Sequence, residues 1–327
     1  MTWDAGEVQA LSALVQAGRY NEALRVFDAR GGEHAAAPPE AEYVAAMAAA
    51  RLGSYGRAAR LGESAWKRLS ASADEVGAMK AANLLGGVAL EQGRLDDAEA
   101  RFEETIRRAH SLDDLRMAAR ASNNLGSLAH LKGKSALALS LYRSSLQVYR
   151  ASGDMAGAAQ TCHNLALVLR GDGQVREALE ASCQAVAAAE GGEDTALLAI
   201  ALAGRAEIWL ELGEADQAEQ DLQRAWPLAQ DAGDELGLAE LERLEAVSAL
   251  RHRRFGRAVR HARRGQAIAS RLGSAQLTGE CAAVCALASR ALGCERLAEG
   301  FRKTAIAAFR SLGAVGPLHR FEQEWAA

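Results

Sequence analysis

Residues 79–109 read MKAANLLGGVALEQGRLDDAEARFEETIRRA. Apolar residues recur at helical spacing on either side of Gly93, so the stretch predicts two amphipathic helices joined by a glycine turn. Its outline returns at a fixed step. Gly133, Gly173 and Gly213 follow Gly93 at intervals of 40 residues, Arg253 takes the next position, and Gly293 the one after. Five residues beyond each comes an alanine: Ala98, Ala138, Ala178, Ala218, Ala258 and Ala298. Two earlier copies, Gly18 with Ala23 and Gly53 with Ala58, precede them. A helix pair repeated at constant period predicts a solenoid, in which each unit buries its apolar face against the next.

The remaining composition agrees. Of 327 residues, 49% are hydrophobic, 24% charged and only 5% aromatic, with a formal net charge of -4. Alanine, the best helix former, dominates, and no β-branched run of period two predicts a strand. The start, MTWDAGEVQA, is acidic and lacks an apolar core, so no secretory leader is expected. No stretch is long and apolar enough to insert in a membrane. Five scattered cysteines (Cys162, Cys183, Cys281, Cys285, Cys294) fit a reducing cytoplasm better than a disulfide framework.

Taken in order, residues 7–30 form an atypical first repeat, with Val8, Leu11, Leu14 and Val15 striping its first helix. Residues 31–39 hold two glycines and two prolines and read as a loop. Repeats then fill 40–312, in strict 40-residue register from position 93, and 314–327 supply a capping helix, so 1–327 form one solenoid of about eight repeats. The links Ser152-Gly153-Asp154, Gly191-Gly192-Glu193-Asp194, Gly233-Asp234 and Gly273-Ser274 pair a glycine for a left-handed helix end with a side chain that caps the next helix. In the first helix of each repeat a small residue recurs, as Gly86, Gly126, Ala166, Ala206, Ala246 and Ala286, letting that helix approach its partner. Phe102, Tyr142 and Leu222 fill the space one helical turn beyond the repeated alanine.

Leu85-Gly86, Gly93, Ala98 and Phe102, then Leu125-Gly126, Gly133, Ala138 and Tyr142, resemble the tetratricopeptide repeat (TPR). The usual unit has about 34 residues; this longer one is similar to those of kinesin light chains, Rap-type bacterial peptide receptors and the sensor regions of some bacterial transcription activators. The family's closing proline is missing, and Arg253 replaces a turn glycine. The resemblance implies an all-α, right-handed superhelix of antiparallel helix pairs, with helix A of each repeat lining a concave groove and helix B the convex back. It implies protein or peptide binding.

Register then selects candidate groove residues. Three and six positions before Gly86 stand Asn83 and Lys80; the same offsets give Asn123 and Arg120, then His163 and Gln160. Asn124 and Asn164 lie beside them, with Ser127 and Arg170 further along. Asn and Gln carry both donor and acceptor and can pair with an extended peptide backbone; Lys and Arg add charge-assisted bonds to carboxylates. Asparagine is a poor mid-helix residue, which argues for a use. In the related receptors, asparagines at such positions hold the peptide backbone. The competing reading makes Asn83 and Asn123 hydrogen-bonding links between helices of the solenoid.

A second feature is the acid-free run 246–274, which carries Arg251, Arg253, Arg254, Arg257, Arg260, Arg263 and Arg264. It reads as a secondary partner surface on the back, or as a solvated helix face. Without interleaved aromatics, nucleic acid is disfavoured. Asp96, Asp97, Glu99, Glu103 and Glu104 make an acidic counterpart, which leaves room for a homo-oligomer. Ser64 and Lys67 match S-x-x-K without its companion motifs, Cys281 and Cys285 lack zinc-site spacing, and no phosphate loop occurs. The chain is therefore expected to be neither an enzyme nor a cofactor or metal binder. It is expected to be a cytoplasmic scaffold or adaptor that takes an extended segment of a partner in its groove. The alternative is a peptide-responsive sensor acting on a separate output protein. Repeats begin within ten residues of the start, which weighs against a fused output domain there.

Overall fold

The computed structural model describes residues 3–34, 37–192, 194–311 and 315–326. Every regular element among them is helical. The chain divides into two compact units, the first ending at Gly153 and the second beginning at Asp154.

The first unit holds α1 (Ala5–Gln16), α2 (Tyr20–Ala29), α3 (Pro39–Arg51), α4 (Tyr55–Ala71), α5 (Glu75–Glu91), α6 (Leu95–Ser111), α7 (Leu115–Leu131) and α8 (Ser135–Ser152). The second holds α9 (Met155–Gly171), α10 (Val175–Glu190), α11 (Thr195–Leu212), α12 (Ala215–Ala232), α13 (Glu235–Arg251), α14 (Phe255–Arg271), α15 (Ala275–Ala291), α16 (Glu295–Ser311) and α17 (Val315–Ala326). Through α16, odd-numbered helices are helices A of the repeats and even-numbered ones helices B. Connections are short, so successive helices pack antiparallel in consecutive pairs. Within the expected loop 31–39, a 3-10 turn covers Gly32–His34, residues 35 and 36 lie outside the described set, and Pro39 opens α3. Its fixed φ and missing N–H suit that first helical position.

The turn chemistry follows the period. Gly93, Gly133, Gly173, Gly213 and Gly293 take φ between 71° and 85°. Arg253 adopts the same left-handed turn with φ 58°. At the other end of each repeat, Asp74, Asp114, Asp154 and Asp234 accept the backbone N–H three residues on at 2.9 Å, and Asp194 does so at 3.0 Å. Ser274 takes the corresponding place before α15. Each such cap contributes about 1 kcal/mol. Of the link 191–194, Glu193 lies outside the described residues.

Within each unit, a helix A that follows a helix B is buried on two sides, against that helix and against its own helix B. In α5 this covers Ala78, Met79, Ala81, Ala82, Leu85, Gly86, Val88 and Ala89. Helices B bury one stripe, as Ala98, Phe102, Thr105 and Ala109 do in α6. The small residue in helix A has a specific use in the first unit. A Cβ on Gly86 would stand 2.6 Å from the Phe102 ring, and one on Gly126 would stand 2.7 Å from Tyr142. The glycine seats the large residue of helix B in the same repeat. In the second unit, α17 packs on α15 and α16 through Phe321, whose ring meets Phe309 edge-on at 6.4 Å. The guanidinium of Arg290 lies over the Trp325 ring at 4.7 Å and donates to the carbonyls of Trp325 and Glu324.

Candidate functional site

In the first unit the register positions fall on neighbouring helices A. Lys80 on α5 and Arg120 on α7 are exposed. Arg120 faces Tyr43 of α3, whose phenol is raised by burial and partly drawn back by that guanidinium. Asn124 donates to the side-chain oxygen of Asn83 across the repeat boundary at 3.2 Å. That bond uses one donor of Asn124 and one acceptor of Asn83. The Asn83 NH2 and the Asn124 oxygen keep no other hydrogen-bond partner among the described residues. Asn123 is buried, at 8% exposure, and faces the packing. Ser127 shares a 3.0 Å bond with the Tyr142 hydroxyl. Part of this row thus links helices and part stays open.

In the second unit Gln160 donates to Asn164 at 3.2 Å within α9. His163 lies on Gly204 of α11, where a Cβ would meet its ring at 2.9 Å. Burial, then the Arg170 charge, lower its imidazole to about 4. Arg170 pairs with Glu207 and lies 3.7 Å from Glu211. These lead to a network that the sequence reading did not include. Arg243 of α13, 9% exposed, bonds Glu207 at 2.6 Å, Glu280 at 3.2 Å and the neighbouring Glu240. Burial alone would raise the Glu207 carboxyl, but Arg243 and Arg170 hold it down at about 2. Burial raises Glu280, with Arg243 opposing. The signal was present: the offsets that give Asn83 and Lys80 give Arg243, Glu240 and Glu280 when continued into the later repeats.

Two cavities adjoin this network. One, of about 220 Å³, lies between α9, α11 and α13 against His163 and Gly204. The other, of about 730 Å³, is bounded by α11, α13, α15 and α17 and carries Arg251, Arg290 and Arg320 beside Leu244, Val247 and Phe321.

The arginine run is dispersed by the fold. Arg251 ends α13 and faces the larger cavity, and Arg253 forms the turn. Just before α14, Arg254 pairs with Glu219 at 3.8 Å; on α14, Arg257 pairs with Glu245 at 2.9 Å and Glu219 at 3.6 Å, and Arg264 with Glu242 at 4.0 Å. Arg253, Arg260 and Arg263 have no ion pair among the described residues. The acidic counterpart is also matched: Lys132 bonds Asp96 and Glu99, Arg94 bonds Asp97, and Arg101 and Arg108 bond Glu104.

All five cysteines are free, and burial pushes the Cys281 and Cys285 thiols up to about 12, so both serve as small core residues. Among the described residues no His, Cys, Asp and Glu side chains group as metal ligands would, and no helix is long and apolar enough to cross a membrane.

The family model for the tetratricopeptide repeat matches residues 77–151 and again 116–191. No curated protein matches the chain. Among solved structures, a Rap protein complexed with competence and sporulation factor superposes with a TM-score of 0.63 at 13% identity, over 98% of this chain and 95% of that one. The Rap conjugation gene regulator of plasmid pLS20, in complex with the Phr* peptide, gives 0.67 at 16% identity, over 86% and 76%. The signal transduction ATPase PH0952 from Pyrococcus horikoshii, a protein with a tetratricopeptide repeat sensor, gives 0.68 at 15% identity, over 94% of this chain and 47% of that one. At these identities the likeness concerns the fold. Residues 77–191 are matched as tetratricopeptide repeats, and they lie within a helix-pair pattern that recurs in both units.

Proposed function

We propose that this protein is a non-enzymatic scaffold that binds an extended peptide segment of a partner protein on its helix A faces. The observation that carries the reading is the Asn83–Asn124 pair. It joins adjacent repeats yet leaves the Asn83 NH2 and the Asn124 oxygen without another hydrogen-bond partner among the described residues. A peptide backbone presents the complementary acceptor and donor, and pairing with both is independent of side-chain sequence. Exposed Lys80 and Arg120 flank the pair and would add charge-assisted bonds to a carboxylate on the ligand. Gln160, His163, Asn164 and Arg170 are proposed for the same use in the second unit.

A second reading, a peptide-responsive sensor acting on a separate output protein, draws support from two Rap structures of like fold, one complexed with competence and sporulation factor and one with the Phr* peptide. The two readings share a binding face and differ in the consequence of binding. In the sensor reading a free peptide raises the melting temperature and changes binding to the output protein.

The test uses the full chain as bait with Lys80→Glu and Arg120→Glu together, beside Arg260→Glu and Arg263→Glu together as control. Loss of the bound partner with the first pair only is expected. Retention at full affinity in the first pair would overturn the assignment of the face.

A further inference from the structure

The helix A face of the second unit departs from its own repeat at one place. Position 200 lies in the register of Lys80, Arg120, Gln160, Glu240 and Glu280, all polar, yet holds Ile200, 39% exposed. Four residues on, the register of Leu84, Asn124, Asn164, Leu244 and Val284 holds Gly204. Without a side chain there, the His163 ring drops onto α11, and a recess of about 220 Å³ opens beside it. Its walls are Leu167, Ile200, Ala203 and Leu241. Glu207 and Glu240 also line it, each already bound to a guanidinium. His163 makes no hydrogen bond to any described residue.

Resting on the binding face proposed above, we infer that this recess receives one neutral aromatic side chain bearing an N–H or O–H, tryptophan or tyrosine, from the bound peptide. Size comes first: an engineered cavity of about 150 Å³ already takes up benzene, so a substituted ring fits here. Charge excludes the alternatives. An anionic side chain would set its oxygens against those of Glu207, Glu240 and Asp234, none of which can donate. A cationic one would find Glu207 and Glu240 already neutralised, with Arg170 and Arg243 adjacent. A plain aliphatic chain would fill the recess but leave His163 buried without a partner. An indole N–H or phenol O–H can donate to the imidazole, held neutral by burial at about 4, or to a remaining lone pair of a carboxylate.

The experiment pans a random peptide display library against the full chain and against Gly204→Leu, which restores the leucine found at positions 84 and 244. Circular dichroism verifies that the variant folds, and His163→Ala serves as a second variant of lower steric demand. An enriched peptide with a fixed Trp or Tyr is expected. Replacing that residue by alanine should weaken binding about ten- to a hundredfold, the worth of burying one large side chain. The same loss should occur with Gly204→Leu, and the alanine peptide should bind both proteins equally. Free indole and p-cresol, titrated by NMR, separate the two ring types. Peptides enriched without an aromatic position, with a charged residue preferred there, or insensitive to both variants overturn this inference alone. Failure to enrich any peptide overturns it together with the function on which it rests.

Discussion

Adjacent glycines in α5 offer a controlled test of how the repeat is packed. Gly86 and Gly87 share one helix, both in helical conformation, and alanine at either gains the same helix propensity, about 1 kcal/mol. Their surroundings differ. A Cβ on Gly87 meets nothing within 4 Å, whereas on Gly86 it lies 2.6 Å from Cε1 and 2.7 Å from Cδ1 of Phe102. Ordinary contact needs about 1 Å more, and Phe102 is 0% exposed, so the ring cannot yield without displacing α6. Overpacking of this kind costs about 1–3 kcal/mol. Since the propensity gain is common to both, the difference between the two variants isolates that steric term. Gly87→Ala should stabilise by about 0.4–1 kcal/mol, and Gly86→Ala should fall below it by about 1–3 kcal/mol. Repeat arrays need not unfold in one step. The readout is therefore urea denaturation by circular dichroism together with hydrogen exchange of α5 and α6. Phe102→Leu should recover part of the loss in the Gly86→Ala background while destabilising the parent protein. Equal stability of the two alanine variants would refute the account of the small residue as the seat for the helix B ring.

Arg253→Gly should stabilise by about 1–2 kcal/mol, because a non-glycine residue in the left-handed region carries a steric penalty of that order and φ here is 58°; thermal denaturation checks the sign. Arg243→Met should destabilise by about 3–5 kcal/mol near neutral pH, since it leaves Glu207, Glu240 and Glu280 partly buried without their common cation. Glu207 is depressed to about 2 from its ordinary 4.5, so its contribution is present above pH 4.5 and is lost as pH falls toward 2. In the variant the uncompensated carboxyls take up protons at higher pH, so the gap between the proteins should narrow from pH 7 to pH 4. Melts at several pH values decide this, and a constant gap would refute the network as drawn.

The period made the fold legible because turn and core positions are fixed by local geometry repeated at equal spacing. A left-handed turn favours glycine, the start of a helix A favours a capping Asp or Ser, and a seated ring needs a glycine opposite. Charge was less legible, for a reason the period also supplies. The run 246–274 contains no acid, yet Arg254 meets Glu219, and His252 meets Asp216, almost one repeat earlier in sequence. The same step joins Lys132 to Asp96 and Arg101 to Glu63. In a solenoid the neighbour across a helix B surface is about one period away, so a linear window counts as unpaired what stacking neutralises. The asparagines mislead similarly: Asn83 and Asn124 have near-equivalent places in successive helices A, and stacking brings them into contact.

What distinguishes a binding position from a packing position is then its variation along the register. At the small-residue position the series is Gly86, Gly126, Ala166, Ala206, Ala246 and Ala286, and packing tolerates nothing larger where a ring lies opposite. Three residues earlier it runs Asn83, Asn123, His163, Ala203, Arg243 and Ala283, and six earlier Lys80, Arg120, Gln160, Ile200, Glu240 and Glu280. Those residues cannot share one structural task, because amide, imidazole, guanidinium and methyl groups do not substitute for one another in a core. Most are exposed or half-buried. The exceptions prove informative: Asn123 and Arg243 are buried, and Arg243 needs three carboxylates to be so. A ligand laid across the helices A of either unit would meet a different side chain at every repeat. The variation in those side chains, an amide pair in the first unit and an imidazole beside an isoleucine above a glycine in the second, is the part of this chain that can encode a choice of partner.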